Sequence, residues 1–171
     1  LSVIESILIW LLHRCSRLLR RRDIMREDGQ LYLSRYRVFG WMPGDTRSYP
    51  FSIYLHRFHT PDYDPAPHNH PWKWARSLIL TGGYVECIER RAETRYPPGY
   101  PPGRVTLERR PWTVNQISAD TFHVVEELRG RETWTLFLAG PKTSAWGFWV
   151  AGRGYVPWRE RLIERGLTPE Y

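Results

Sequence analysis

Short segments in which apolar and polar residues alternate, each closed by a turn rich in Gly, Pro or Asp, fill the chain from about residue 31 to residue 150. Residues 31–39 set the pattern, and Gly40-Trp41-Met42-Pro43-Gly44-Asp45 reads as the turn that ends it. Residues 51–58, 74–80, 84–90, 104–109, 113–117, 122–127, 133–138 and 146–150 repeat it, and a short helix is expected over 158–165. Strands in series without helices between them predict an antiparallel all-β sandwich or barrel. The composition agrees: 14 Pro, 13 Gly, 9 Trp, 10 Tyr and 6 Phe among 171 residues suit strands and tight turns better than a helical bundle. Pro97-Pro98-Gly99-Tyr100-Pro101-Pro102-Gly103 reads as the tip of a long hairpin.

The first 28 residues depart from this pattern. Val3, Ile4, Ile7, Leu8, Trp10, Leu11, Leu18 and Leu19 fall between Ser2, Glu5, Ser6, His13, Ser16, Arg17 and Arg20 at helical spacing, which predicts an amphipathic basic helix over 1–28 before a β domain over 29–171. Arg14, Arg17, Arg20, Arg21, Arg22 and Arg26 against Glu5 and Asp23 give residues 1–26 a net +4 of the chain's +7, leaving +3 elsewhere. The β domain is therefore not a nucleic-acid platform by charge. The apolar run 7–12 is too short to cross a bilayer, and the basic cluster follows it, the reverse of a secretory signal. Packing against the domain or a partner subunit is the first expectation for this helix. The second is a membrane surface, with Arg20-Arg21-Arg22 facing acidic headgroups. Cys15 and Cys87 suit a reducing, cytoplasmic compartment and make no disulfide framework.

His68-Asn69-His70-Pro71-Trp72 carries the chemistry. In an extended chain an H-x-H pair puts both imidazoles on one side, and neutral imidazoles hold divalent metals well. A further histidine, His123, stands in the apolar setting Thr121-Phe122-His123-Val124-Val125. Glu86, two residues beyond Tyr84, is a candidate partner behind a ligand, a general base or a carboxylate ligand, with a solvent-facing strand residue as the plain alternative. Of His56 and Arg57 one should point inward, and Arg57 would give an anionic substrate a bidentate partner, with Arg76 as its rival. Trp72 and Trp74 are expected to wall the site or the core.

His68-x-His70, Gly82 and His123 together resemble the two-motif signature of the cupin superfamily, over about residues 50–130. The resemblance implies a double-sheeted antiparallel barrel (a jelly roll) with one metal ion held by His68, His70 and His123. Counting back seven from Gly82 places Ala75 where that family has a Glu ligand, and its neighbours Trp74 and Arg76 are not carboxylates. Ser118 and Asp120 replace the second motif's Pro and Gly, and Glu127 replaces its Asn. A three-histidine set is similar to that of thiol dioxygenases; it leaves an ion its full charge and open positions for substrate and O₂. Fe(II) suits such a site best, with Zn, Ni or Mn compatible. His68-Asn69-His70-Pro71-Trp72, Gly82-Gly83-Tyr84, Trp146-Gly147-Phe148-Trp149 and Pro157-Trp158-Arg159 are also similar to small cupin-like proteins of bacterial and phage genomes. The implied function is an Fe(II)-dependent oxygenase acting on a small organic substrate. The alternative is a non-enzymatic module that binds a small molecule or metal and is docked by its N-terminal helix. A sugar isomerase or epimerase ranks third, and a homodimer through edge strands is a further expectation of the resemblance.

Overall fold

The computed structural model describes residues 2–26, 28–90 and 103–166. Helix α1 (Val3–Ser16) precedes β1 (Arg20–Met25), β2 (Leu31–Phe39), β3 (Ser52–Phe58), β4 (Trp74–Thr81), β5 (Tyr84–Arg90) and β6 (Gly103–Arg109). They are followed by β7 (Val114–Ser118), β8 (Phe122–Leu128), β9 (Thr133–Ala139), β10 (Gly147–Val150), β11 (Gly154–Pro157) and helix α2 (Trp158–Glu164). One sheet runs β1-β2-β3-β9-β4-β7. The other runs β6-β5-β8, and His68 extends it by bridging His123 of β8 and Phe148 of β10, which pairs with β11. All the strand pairs among the described residues are antiparallel, the double-sheeted cupin-type architecture that the motifs imply.

Alternation along the strands builds the space between the sheets. On β4, Ala75, Ser77 and Ile79 are buried while Trp74 and Arg76 are exposed. The inner faces pack Met42, Tyr54, Trp72, Ala75, Ile117, Phe137 and Ala139 at one end, and Ile79, Tyr84 and Val125 at the other. Gly82, at the β4–β5 turn, has φ +67°. A Cβ there would meet the Glu132 carbonyl oxygen at 2.5 Å, so the turn admits only glycine.

The N-terminal segment divides differently from the predicted single helix. α1 ends at Ser16, and Arg20–Met25 forms an edge strand on β2, with Ile24 opposite Leu33 and the Asp23 carboxylate accepting from Ser34 Oγ at 2.7 Å. The main-chain ladder offered by β2 outweighs both the helical spacing and the helix propensity of the arginines, because tertiary pairing overrides a local preference of a few tenths of a kcal/mol per residue. β11 is a second strand absent from the pattern, and α2 matches the expected short helix to within a residue. Of the predicted proline-rich hairpin tip, residues 97–102 lie outside the described residues.

α1 packs on the outer face of the larger sheet. Its Leu12 joins Leu19 and Leu80 against Tyr36, Leu55 and Trp134. Ser2 caps the helix by accepting from Glu5 N, Glu5 accepts from Gly82 N at 3.3 Å, and His13 Nε2 contacts Glu132 Oε2 at 2.8 Å. No helix among the described residues is long and apolar enough to cross a membrane.

Candidate metal centre

The loop from Asp62 to Lys73 reaches the site because the second sheet holds it as a strand would be held. Asp62 N donates to Val125 O at 2.9 Å, and Val125 N donates to the Asp62 carboxylate at 2.7 Å. His68 and His123 exchange both backbone hydrogen bonds, each 2.9 Å, which is the closed pair of an antiparallel ladder. Asn69 N donates to Gly147 O at 3.0 Å, and its side chain turns away from the histidines to accept from Gly147 N and donate to Ala119 O, both at 2.8 Å. Upstream, Asp64 is gripped by Arg161 and Arg165 at the end of α2. The alternation of His68, Asn69 and His70 is thus real: the histidines face one way and the asparagine the other.

His68, His70 and His123 each offer a ligand atom, and these atoms lie within 4.8 Å of one another. Ring centroids are 5.1 Å apart for His68 and His70, and 5.0 Å for each of these with His123. His70 Nε2 and His123 Nε2 are 2.8 Å apart, a separation that requires a proton between them. His123 is buried, while His68 and His70 keep partial exposure and give the cluster its access.

Behind His123 stands Glu86. Its Oε1 is 2.5 Å from His123 Nδ1, and Glu86 itself has no solvent exposure. Arg109 Nε donates to Oε2 at 2.7 Å, and Asn115 Nδ2, from the other sheet, donates to both oxygens at 2.9 and 3.0 Å. Burial alone would raise this carboxyl, but the hydrogen bond from His123 and the charges of His123 and Arg109 outweigh it and hold it at about 2. Burial lowers His68 to about 4 and takes His70 well below the usual imidazole value, while His123 is raised, with Glu86 overcoming burial. Glu86 is therefore an ionised orienter of His123, leaving Nε2 to face the other two rings.

The structure separates His56 from Arg57. His56 is buried on the inner face, stacked on Phe137 at 4.9 Å, and its Nε2 accepts from Arg35 Nε at 3.0 Å. Arg57 points the other way, over Trp134 and 3.4 Å from Glu132, on the face covered by α1. Instead of Arg57, Arg35 points inward, lying over the rings of Tyr54 and Trp72 at 5.0 and 5.8 Å, and Trp72 in turn stacks on His70 at 5.2 Å. Arg76 and Trp74 are both exposed on the outside of β4, and Glu127 is exposed beyond His123. Arg35, Arg109, Asn115 and Asn69 carry no motif; cross-strand register is what brings Arg35 opposite His56 and Arg109 opposite Tyr84.

Fold and cluster together define a cupin-type barrel with a three-histidine centre. No family model and no curated protein matches the chain. Among solved structures it is similar to a cupin-2 domain protein of Rhodospirillum rubrum, at 8% identity over 86% of this chain and 82% of that one, with a TM-score of 0.49. It is also similar to the DMSP lyase DddQ of Ruegeria pomeroyi, at 19% identity over 76% of this chain and 60% of that one, TM-score 0.47. Its match to Fe(II)-bound HppE has 11% identity and a TM-score of 0.46, and covers 71% of this chain but 56% of that one. Likenesses at this level carry nothing about the chemistry of the site, which stands on its own geometry.

Proposed function

We propose that the chain is a metal-dependent oxygenase that holds Fe(II) through His68, His70 and His123 and acts on a small organic substrate. The convergence of three imidazole nitrogens, one of them backed by a buried ionised carboxylate, carries this reading. The donor set fits a divalent transition metal: a cation can take the place of the proton between His70 and His123, and depressed imidazole values keep His68 and His70 unprotonated at neutral pH. Fe(II) held there would supply redox chemistry with O₂. The protein's own residues do the rest. Glu86 fixes the His123 ring, Arg109 and Asn115 fix Glu86, and Trp72, Trp146 and Phe148 wall the cluster against water. Arg35, held beside His56, is the inner-face cation suited to orient an acidic group of the substrate.

Anaerobic reconstitution with Fe(II), followed by metal analysis and O₂-electrode assays on candidate thiols and carboxylates, tests the proposal. One iron per chain and substrate-dependent O₂ uptake, both lost in His123→Ala, are expected. Stoichiometric metal without O₂ uptake on any candidate would favour the non-enzymatic binding module.

A further inference from the structure

α1 buries one side and leaves the other apolar. Glu5, Leu12 and His13 engage the sheet and its turns, and Ser16 is buried. On the outward side Val3, Ile4, Ile7, Trp10 and Leu11 recur at helical spacing and are 44–76% exposed, and Leu18, just beyond the helix end, is 88% exposed. Monomeric proteins rarely leave so continuous an apolar stripe uncovered. Its C-terminal end is basic: Arg14 and Arg17 are exposed, and the Arg14 guanidinium sits 5.3 Å from the Trp10 ring centroid. Glu5, the one acidic residue in 2–18, faces the sheet instead, so the outward face has no negative charge.

These features decide between occupants. A second copy would bring the same acid-free stripe, and self-contact would leave Arg14 and Arg17 without counterions. A bilayer rich in anionic phospholipid satisfies both halves of the surface, taking the aliphatic and indole side chains at the acyl boundary and the guanidinium groups at the phosphates. A 14-residue helix is about 21 Å long, so it lies along the interface and does not cross it. We propose that the outward face of α1 docks the protein on anionic phospholipid surfaces. The six-stranded sheet lies between this face and the histidine cluster, so docking leaves the metal centre clear of the membrane.

Co-sedimentation of the full chain with vesicles of phosphatidylcholine alone, or of equal parts phosphatidylcholine and phosphatidylglycerol, tests this at low and high salt. Binding to the anionic vesicles is expected to exceed binding to the neutral ones by about tenfold or more, and to fall with salt. Ile7→Glu should reduce it by about tenfold or more. The double variant Arg14→Gln/Arg17→Gln should bind the two vesicle types about equally while keeping its circular dichroism spectrum and thermal midpoint. Equal wild-type binding to both vesicle types, or none, would overturn the proposal. So would a dimer by light scattering that Ile7→Glu splits, because a second copy would then own the stripe. If Ile7→Glu fails to fold, the arginine pair, both members of which are exposed, decides the outcome.

Discussion

Glu86 Oε1 and His123 Nδ1 lie 2.5 Å apart, and the two residues sit diagonally on neighbouring strands, with Glu86 opposite Val125 and Ile88 opposite His123. That diagonal places a carboxylate behind an imidazole without occupying the ring's other nitrogen. Ala75, where the family signature has a carboxylate ligand, is buried in the apolar cluster on the inner face of β4. The acid of this site therefore acts from the rear, on the His123 ring, with Asn115 and Arg109 gripping it from both sheets.

Glu86→Gln tests that arrangement. The amide removes the charge that orients the His123 ring and leaves Arg109 without its carboxylate partner. Metal affinity should fall roughly 10- to 100-fold, read by competition with a chromogenic chelator. Unchanged affinity would show that His123 needs no orienting acid.

The three histidines should behave as a unit and Arg57 should stand apart. His68→Ala, His70→Ala or His123→Ala should each bring metal content well below one per chain. Arg57→Gln, altered on the face beneath α1, should retain full loading. Loss of metal in Arg57→Gln with its fold intact would place that arginine at the centre after all.

Acid should destabilise the metal-free protein early. His68, lowered to about 4 by burial, and His56 and His70, lowered in the same direction, take up protons more readily unfolded than folded. Stability is then complete above the ordinary imidazole value of about 6.5 and declines as pH falls toward 4, by up to about 3 kcal/mol for His68. His123, raised by Glu86, has the opposite sign: its contribution is full below about 6.5 and is lost as pH rises through its folded value. Urea midpoints measured across this range in the presence of chelator should show a maximum close to neutrality. A flat profile would contradict the burial of the cluster.

Asn69→Ala should loosen the ligand loop without touching a ligand. It leaves the Gly147 N–H and the Ala119 carbonyl without their side-chain partner, at a cost of about 2–3 kcal/mol in thermal or urea unfolding. Metal affinity should drop with it, because the same side chain anchors the strand segment that presents both His68 and His70. Asn69→Asp, which keeps the acceptor for Gly147 N, should recover part of the loss.

Gly82→Ala should lower stability by more than about 1 kcal/mol. The positive φ and the 2.5 Å approach to Glu132 O both oppose a Cβ. A neutral outcome by thermal melting would mean that the β4–β5 turn relaxes freely.

The strands were legible in the chain because period-two alternation is local, and β2 and β5 match their predicted bounds residue for residue. The histidine cluster was legible for the same reason: H-x-H is a statement about one face, and His123 stands in a strand of its own. β1 was not, since six residues beginning with three arginines form a strand only when β2 supplies the ladder.

By itself the sequence determined the all-β class, the three histidines and the lack of a carboxylate at Ala75, all properties of residue type and local period. Tertiary structure decided which way each strand faces. On β3 the buried residues Tyr54, Leu55 and His56 are consecutive, because α1 covers the outer face and both sides are apolar. That erases the phase by which His56 could be told from Arg57. It took the packing of α1, and the register that sets Arg35 opposite His56 and Glu86 diagonal to His123, to assign the inward cation and the acid behind the centre.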